Sequence, residues 1–335
     1  MHTPRPEVLI IDDLMASVAL LLRYFHGESV DVMVALNGAD GLRKAGAGQP
    51  DVILLDVSMP HTDGYAVCRA LKADPATEAI PVIFVTSMSD VGNEAEGFAN
   101  GAVDYIVKPV YPAIVLARVR AQLSLVRATR LEQSYRDAIS MLGEAAHFND
   151  TDTGVHIWRM AAYAAALARA SGWSEDDCQL LELAAPMHDT GKLGVPQSIL
   201  QKPGPLDLEE WKIMKTHPRV GHDILARSDS PVFRMAAQIA LQHHEKWDGS
   251  GYPQGLQGSA IAPAARIVAI ADVFDALTMK RPYKQAWPME QVLATIQSGR
   301  ASHFDPQLTD LFLSILPDIE GIKAHWALAG ETEGP

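Results

Sequence analysis

Residues 51–64 read DVILLDVSMPHTDG, an apolar run that stops on a carboxylate, Asp56, and then turns. An apolar run without polar alternation marks a strand covered on both faces, as in a parallel sheet. Working outward, the same pattern recurs. EVLII precedes Asp12 and Asp13, VDVMVAL follows, IPVIFVTS ends on Thr86 and Ser87, and VDYIVKP ends on Lys108 and Pro109. An amphipathic stretch follows each run, and five β–α units predict a doubly wound parallel five-stranded sheet over about residues 5–123. Ligands of such sheets sit at the carboxyl ends of the strands. That edge collects Asp12, Asp13, Asp56, Thr86 and Lys108.

Residues 112–146 contain no proline after Pro112 and read as one long helix. Its apolar positions Leu116, Val119, Leu123 and Val126 follow a 3-4 spacing that resumes one residue late at Leu131, Tyr135, Ala138 and Leu142. This pattern fits either a two-stranded coiled coil with a stutter or a helix packed on its own domain; a homodimer through the helix is the expectation. From 143 to 326 strand signals vanish, and alanine-rich amphipathic stretches between Gly/Pro loops predict an all-helical domain. Residues 330–335 read as a flexible tail.

The chain has 335 residues, enough for about two domains at roughly 150 each. Its formal net charge of −13 disfavours a polyanionic partner such as DNA. The N-terminus lacks the apolar core of a secretory signal, no stretch approaches the roughly 20 apolar residues of a membrane span, and the expected location is cytoplasmic. Two distant cysteines, Cys68 and Cys178, read as reduced thiols.

Three carboxylates at one sheet edge repel one another unless a cation bridges them, and hard oxygen donors suit Mg²⁺. Asp56 is then a candidate phosphate acceptor, with Lys108 to neutralise the phosphoryl group and Thr86 to hydrogen-bond it. In order, Asp12-Asp13, Asp56, Met59-Pro60, Asp63-Gly64, Thr86 and Lys108-Pro109 resemble the flavodoxin-like receiver domain of two-component response regulators. The resemblance implies phosphotransfer from a sensor histidine kinase to Asp56, Mg²⁺ at Asp12 and Asp13, and Tyr105 as the aromatic switch residue.

The second half is rich in histidine. His156, His188-Asp189 with Lys192, His217, His243-His244 and Asp272 offer seven donors for metal, more than one tetrahedral ion needs. They suit two ions of higher coordination sharing a carboxylate, and imidazole-rich sets favour Fe, Mn, Zn or Ni over Mg. Two ions about 3.5–4 Å apart can generate a bridging hydroxide and clamp both oxygens of a phosphoryl displacement, the chemistry of phosphodiester hydrolysis. Lys192 lies four residues after His188, on the same face if that helix continues.

These motifs, with Asp248-Gly-Ser-Gly251-Tyr252-Pro253 and Arg281-Pro-Tyr-Lys284, resemble the HD-GYP subgroup of HD-domain phosphohydrolases, which hydrolyse cyclic di-GMP. By that resemblance Asp189 bridges the metals, Lys192 sits by the scissile phosphate, and Arg281 and Lys284 contact the ligand phosphates. The loop of Gly251 and Tyr252 borders the substrate and contacts a diguanylate cyclase partner, although it also reads as an ordinary Gly/Pro turn. Arg159, His222, Glu245, His303 and His325 read as packing, supporting or surface groups. Family members with a third metal carry a glutamate where this chain has Asp152, a further candidate donor. The shorter side chain implies two ions and a linear pGpG product, with onward cleavage to GMP open. Thr190, where isoleucine is commoner, reads as a packing change. The expected activity is a phosphorylation-regulated cyclic di-GMP phosphodiesterase. Its rivals are a dinucleotide or protein-partner receptor with little hydrolysis, and a phosphodiesterase for mixed cyclic GMP-AMP.

Overall fold

The computed structural model describes residues 5–59, 62–87, 97–147, 154–279 and 286–332. The chain divides into two compact units, Met1–Gln133 and Ser134–Pro335. In the first, strands β1 (Glu7–Ile11), β2 (Asp31–Ala35), β3 (Val52–Asp56), β6 (Val82–Thr86) and β7 (Asp104–Val107) form a five-stranded sheet in the order β2-β1-β3-β6-β7. All four pairings are parallel, with Asp56 opposite Val85 and Thr86 opposite Val107. A short antiparallel pair, β4 (Ser58–Met59) and β5 (Thr62–Asp63), follows β3; two-residue strands leave no periodic signal in a sequence.

The strand residues alternate between two cores, as the two-residue period demands. Leu9, Ile11, Ile53, Leu55 and Phe84 pack with Ala45 of α2 (Gly38–Gly48) and Val67, Cys68 and Leu71 of α3 (Gly64–Ala73). Val8, Ile10, Val52, Leu54, Ile83 and Val85 pack with Val18, Leu21 and Phe25 of α1 (Met15–Phe25) and with Val115 and Val119. The last two belong to α4 (Pro112–His147), the long helix that links the units. Leu116 and Leu123 lean on the same core, so the first part of the apolar stripe is spent inside the receiver-like unit. Leu125, Leu131 and Met141 of α4 remain exposed.

The second unit is helical. Its elements are α5 (Gly154–Ala170), α6 (Glu175–Ala184), α7 (Gln197–Leu200), α8 (Leu208–Met214), α9 (His217–Leu225), α10 (Pro231–Gln242), α11 (Pro263–Thr278), α12 (Met289–Ser298), α13 (Pro306–Ser314) and α14 (Leu316–Thr332). Helix α14 runs past Gly330, where a tail was expected, and 333–335 lie outside the described residues. Side-chain caps set several starts: Asp207 and Glu210 form a reciprocal capping box on α8, and Asp305 accepts from Gln307 and Leu308 on α13. The core is centred on α5, α6, α10 and α11, where Tyr163, Phe274 and Phe312 meet edge to face at 5.4 and 5.1 Å. Both cysteines are buried free thiols. No helix among the described residues is long and apolar enough to cross a membrane.

Phe274 is fully buried between two aromatic partners. Phe274→Ala is expected to lower unfolding stability of the helical unit by about 3–5 kcal/mol through lost burial and a residual cavity. Urea denaturation of the full chain, followed by circular dichroism, measures it; a loss below about 1 kcal/mol contradicts this core assignment.

Candidate active sites

At the carboxyl edge of the sheet Asp12 and Asp56 are buried, and oxygens of Asp12, Asp13 and Asp56 lie within 4.8 Å of one another. Lys108 reaches Asp56 at 3.1 Å and Asp12 at 3.4 Å. One ammonium against three carboxylates leaves net negative charge in a desolvated place. Asp12 responds with a raised pKa, chiefly from burial, opposed by the Leu14 amide and Lys108 and reinforced by Asp56. Asp13 Oδ1 is buried and meets no hydrogen-bond donor among the described residues. An orphaned acceptor beside two more carboxylates fits a hard divalent cation. Thr86 is buried at the end of β6, and its carbonyl accepts the Lys108 amide at 2.7 Å. Tyr105 is half-buried, edge-on to Phe98 at 6.1 Å, with the Arg118 guanidinium 5.7 Å above its ring. Pro60 lies outside the described residues.

In the helical unit, donor atoms of Asp189, His217, His243 and His244 converge within 4.8 Å. Three imidazoles are aimed in the same way. His188 Nδ1 sits 3.0 Å from the carbonyl of Ala185, His217 Nδ1 2.8 Å from Met214, and His243 Nδ1 3.0 Å from Ala240. Each accepting carbonyl lies three residues back, at or near the end of a helical segment. A carbonyl oxygen can only accept, so each Nδ1 donates and each ring turns its Nε2 inward. His217 and His243 Nε2 stand 3.4 Å apart, and Asp189 Oδ1 lies 3.3 and 3.6 Å from them. Burial pushes His217 down to about 4, against the pull of Asp189 and with help from His243; burial, then His243 and His217, hold His244 well below the ordinary range. Imidazole nitrogens converging on a buried carboxylate fit a metal cation.

His188 Nε2 lies 3.3 Å from Asp189 Oδ2 and 3.9 Å from Asp272 Oδ1, which extends the donor set onto α11. Lys192 Nζ approaches Asp189 Oδ2 at 2.7 Å. The helix does not continue past His188 as the spacing allowed. The chain tightens into a 3-10 turn at Thr190–Gly194, in which residues three apart eclipse, so Lys192 pairs with Asp189. Thr190 is fully buried, its hydroxyl donating to the Met187 carbonyl at 2.9 Å. His156 lies in α5, with its side chain outside what the structure describes; Asp152, Arg281 and Lys284 also fall outside the described residues.

The loop after His244 is clamped from below. Buried Glu245 accepts the amides of Gln254 at 2.7 Å and Leu256 at 3.0 Å, a supporting role set by contacts 9 and 11 residues away. Tyr252 then stacks on His244 at 4.8 Å, and Lys215 holds its ammonium 5.3 Å from the Tyr252 ring. Lys215 carries no motif signal and was not legible in the sequence. A Cβ on Gly251 would come within 2.3 Å of the Lys246 nitrogen, so only glycine closes this loop. His222 pairs with Asp223, His303 stacks on Phe304, and His325 meets Trp326 edge-on, all outside the donor cluster.

Residues 121–308, more than half of the chain, match the HD domain family. The chain belongs to the HD-domain family. Residues 8–120 match the response regulator receiver domain, so the chain is a response regulator with an HD domain behind its receiver. It is 37% identical to the cyclic di-GMP phosphodiesterase response regulator RpfG of Xanthomonas campestris pv. campestris, over 98% of this chain and 92% of that protein. A cyclic di-GMP phosphodiesterase of Thermotoga maritima is 33% identical over 94% of this chain and 92% of its own length. The 3'3'-cGAMP-specific phosphodiesterase 2 of Vibrio cholerae is 42% identical over 58% of this chain and 37% of its own length.

Two outcomes follow from the geometry of the HD domain. A Cβ at Gly191 would lie 1.8 Å from the His217 carbonyl oxygen, so Gly191→Ala must part Asp189 from His217. Titration with Mn²⁺ is expected to give an affinity roughly ten- to a hundredfold weaker. Gly321→Ala, whose Cβ meets nothing within 4 Å, should leave it unchanged. The second outcome concerns acid. Burial, aided by Lys246 and opposed by Asp248 and Asp272, pushes His303 down to about 4. Between about 6.5, its unfolded value, and 4 the unfolded chain binds a proton that the folded chain refuses, so stability falls with pH and levels off near 4. Thermal melts of metal-free His303→Gln should show a shallower loss across that window; an unaltered slope rejects the assignment.

Proposed function

We propose that this chain is a phosphorylation-regulated, metal-dependent phosphodiesterase that opens cyclic di-GMP to linear pGpG. The observation that carries the reading is the convergence of donor atoms of Asp189, His217, His243 and His244 within 4.8 Å, with the Lys192 ammonium 2.7 Å from Asp189. His156, His188, Asp189, His217, His243, His244 and Asp272 are the proposed holders of two divalent ions, drawn from Fe, Mn, Zn or Ni. Such ions supply positive charge against the phosphate and lower the pKa of water to near neutrality. Asp189, which would help hold the ions, also anchors the Lys192 ammonium, which is then placed to neutralise charge developing on the phosphoryl oxygens. Tyr252, held on His244 and by Gly251, offers a flat wall to the nucleotide, and Arg281 and Lys284 bind its phosphates. The expected ion count is two, with the shorter Asp152 in place of a third-metal glutamate.

Residues 5–123 act as the receiver, 112–146 as the linking helix and 143–326 as the phosphohydrolase. A sensor histidine kinase phosphorylates Asp56, with Mg²⁺ at Asp12 and Asp13, and Thr86, Tyr105 and Lys108 read the phosphoryl group. Charge added there shifts a two-state receiver, and α4 carries the bias to the HD domain of a cytoplasmic homodimer that uses exposed Leu125, Leu131 and Met141. A diguanylate cyclase is the proposed partner of the loop around Tyr252. A second substrate, 3'3'-cGAMP, is favoured by the 42% identity to the Vibrio cholerae enzyme named above.

One experiment separates the readings: anaerobically metal-loaded full chain is incubated with each dinucleotide, with and without a small phosphodonor. Expected is release of pGpG, with turnover lowered at least about a hundredfold in Asp189→Ala and Lys192→Met, and loss of the phosphodonor response in Asp56→Asn. Binding without turnover makes the chain a receptor. Undiminished turnover in Asp189→Ala sinks the assigned centre.

A further inference from the structure

Arg159 and Asp275 form an ion pair inside the apolar core of the helical unit, their side chains 6% and 0% exposed. The guanidinium grips the carboxylate side-on, Nε to Oδ1 at 2.6 Å and Nη2 to Oδ2 at 2.8 Å. The neighbourhood is the Tyr163–Phe274–Phe312 cluster, and burial first, then Asp275, raises the pKa of Tyr163. Two charges here are not an efficient route to stability, because well-packed apolar side chains of similar volume do as well or better. What a fork-on-fork pair supplies and an apolar contact does not is direction: it is satisfied at one separation and one angle.

The pair joins α5 to α11, and its place on each helix is informative. Asp275 stands three residues beyond Asp272, and Arg159 three beyond His156. Residues three apart share a helix face, one turn apart. Asp272 is also the donor that α11 brings to His188 at 3.9 Å. A slip of α11 by a single residue moves it about 1.5 Å along its axis and about 100° around it, which carries Asp272 away from His188.

We propose that Arg159 and Asp275 are positioning residues that key α11 to α5 and so hold Asp272 in register with the donor cluster. This rests on the reading of that cluster as a divalent-metal centre. Their value is geometric, and a core rebuilt without them keeps its stability while losing the metal site.

The test compares full-length wild type with the Arg159→Met/Asp275→Leu double variant and with Arg159→Lys, which keeps the charge and loses the fork. Metal-free urea denaturation reports stability, and Mn²⁺ titration with electron paramagnetic resonance of the bound ion reports the site. Expected is a double variant at least as stable as wild type that binds Mn²⁺ roughly ten- to a hundredfold more weakly, with an altered spectrum. Arg159→Lys should not restore wild-type affinity, and it carries the test alone if the double variant does not fold. Wild-type affinity and spectrum in the double variant or in Arg159→Lys overturn the proposal and leave the centre standing. Wild type that binds no Mn²⁺ overturns both.

Discussion

Three hydrogen bonds from imidazole Nδ1 to main-chain carbonyls govern the catalytic half of this molecule. By engaging the Nδ1 atoms of His188, His217 and His243, they turn the Nε2 atoms toward Asp189. Everything else in that half keeps those atoms where they are. The turn at Gly191 lets two backbone segments touch, Glu245 ties down the loop that carries Tyr252, and the Arg159–Asp275 fork fixes the helix that carries Asp272. The receiver solves a similar problem with different chemistry: oxygen donors and Lys108, at the open end of a sheet packed between two apolar clusters.

Much of this was legible in the residues. Apolar runs ending in Asp12, Asp56, Thr86 and Lys108 dictate parallel strands, and parallel strands bring their ends together. The histidines likewise announce themselves, because imidazole and carboxylate are costly to bury without a task. What stayed hidden has a common cause: it depends on groups that every residue possesses or on partners far apart in the chain. The carbonyls of Ala185, Met214 and Ala240 carry no mark of their role. Arg159 reads as a packing, supporting or surface group, but nothing in the spacing pairs it with Asp275, 116 positions away. The spacing of Lys192 from His188 shares a face only if the helix continues, and the 3-10 turn gives Lys192 Asp189 as partner instead.

The linking helix illustrates a different limit. The spacing of Leu116, Val119 and Leu123 satisfies a coiled coil and a domain-packed helix equally, since both bury one stripe. Tertiary packing assigns those three to the sheet and leaves Leu125, Leu131 and Met141 in solvent. Periodicity shows that a face is apolar; it does not say what covers it.

The carbonyls beneath the histidines also sit at the trailing ends of helical segments: Ala185 just after α6, Met214 closing α8, Ala240 in the last turn of α10. Trailing helix ends carry partial negative charge of about half an elementary unit each. Three such ends around an aspartate make a basin of negative potential that draws in cations and turns anions away. A nucleotide diester is itself an anion. The scaffold therefore favours positive charge beside Asp189 and disfavours an uncompensated anion there.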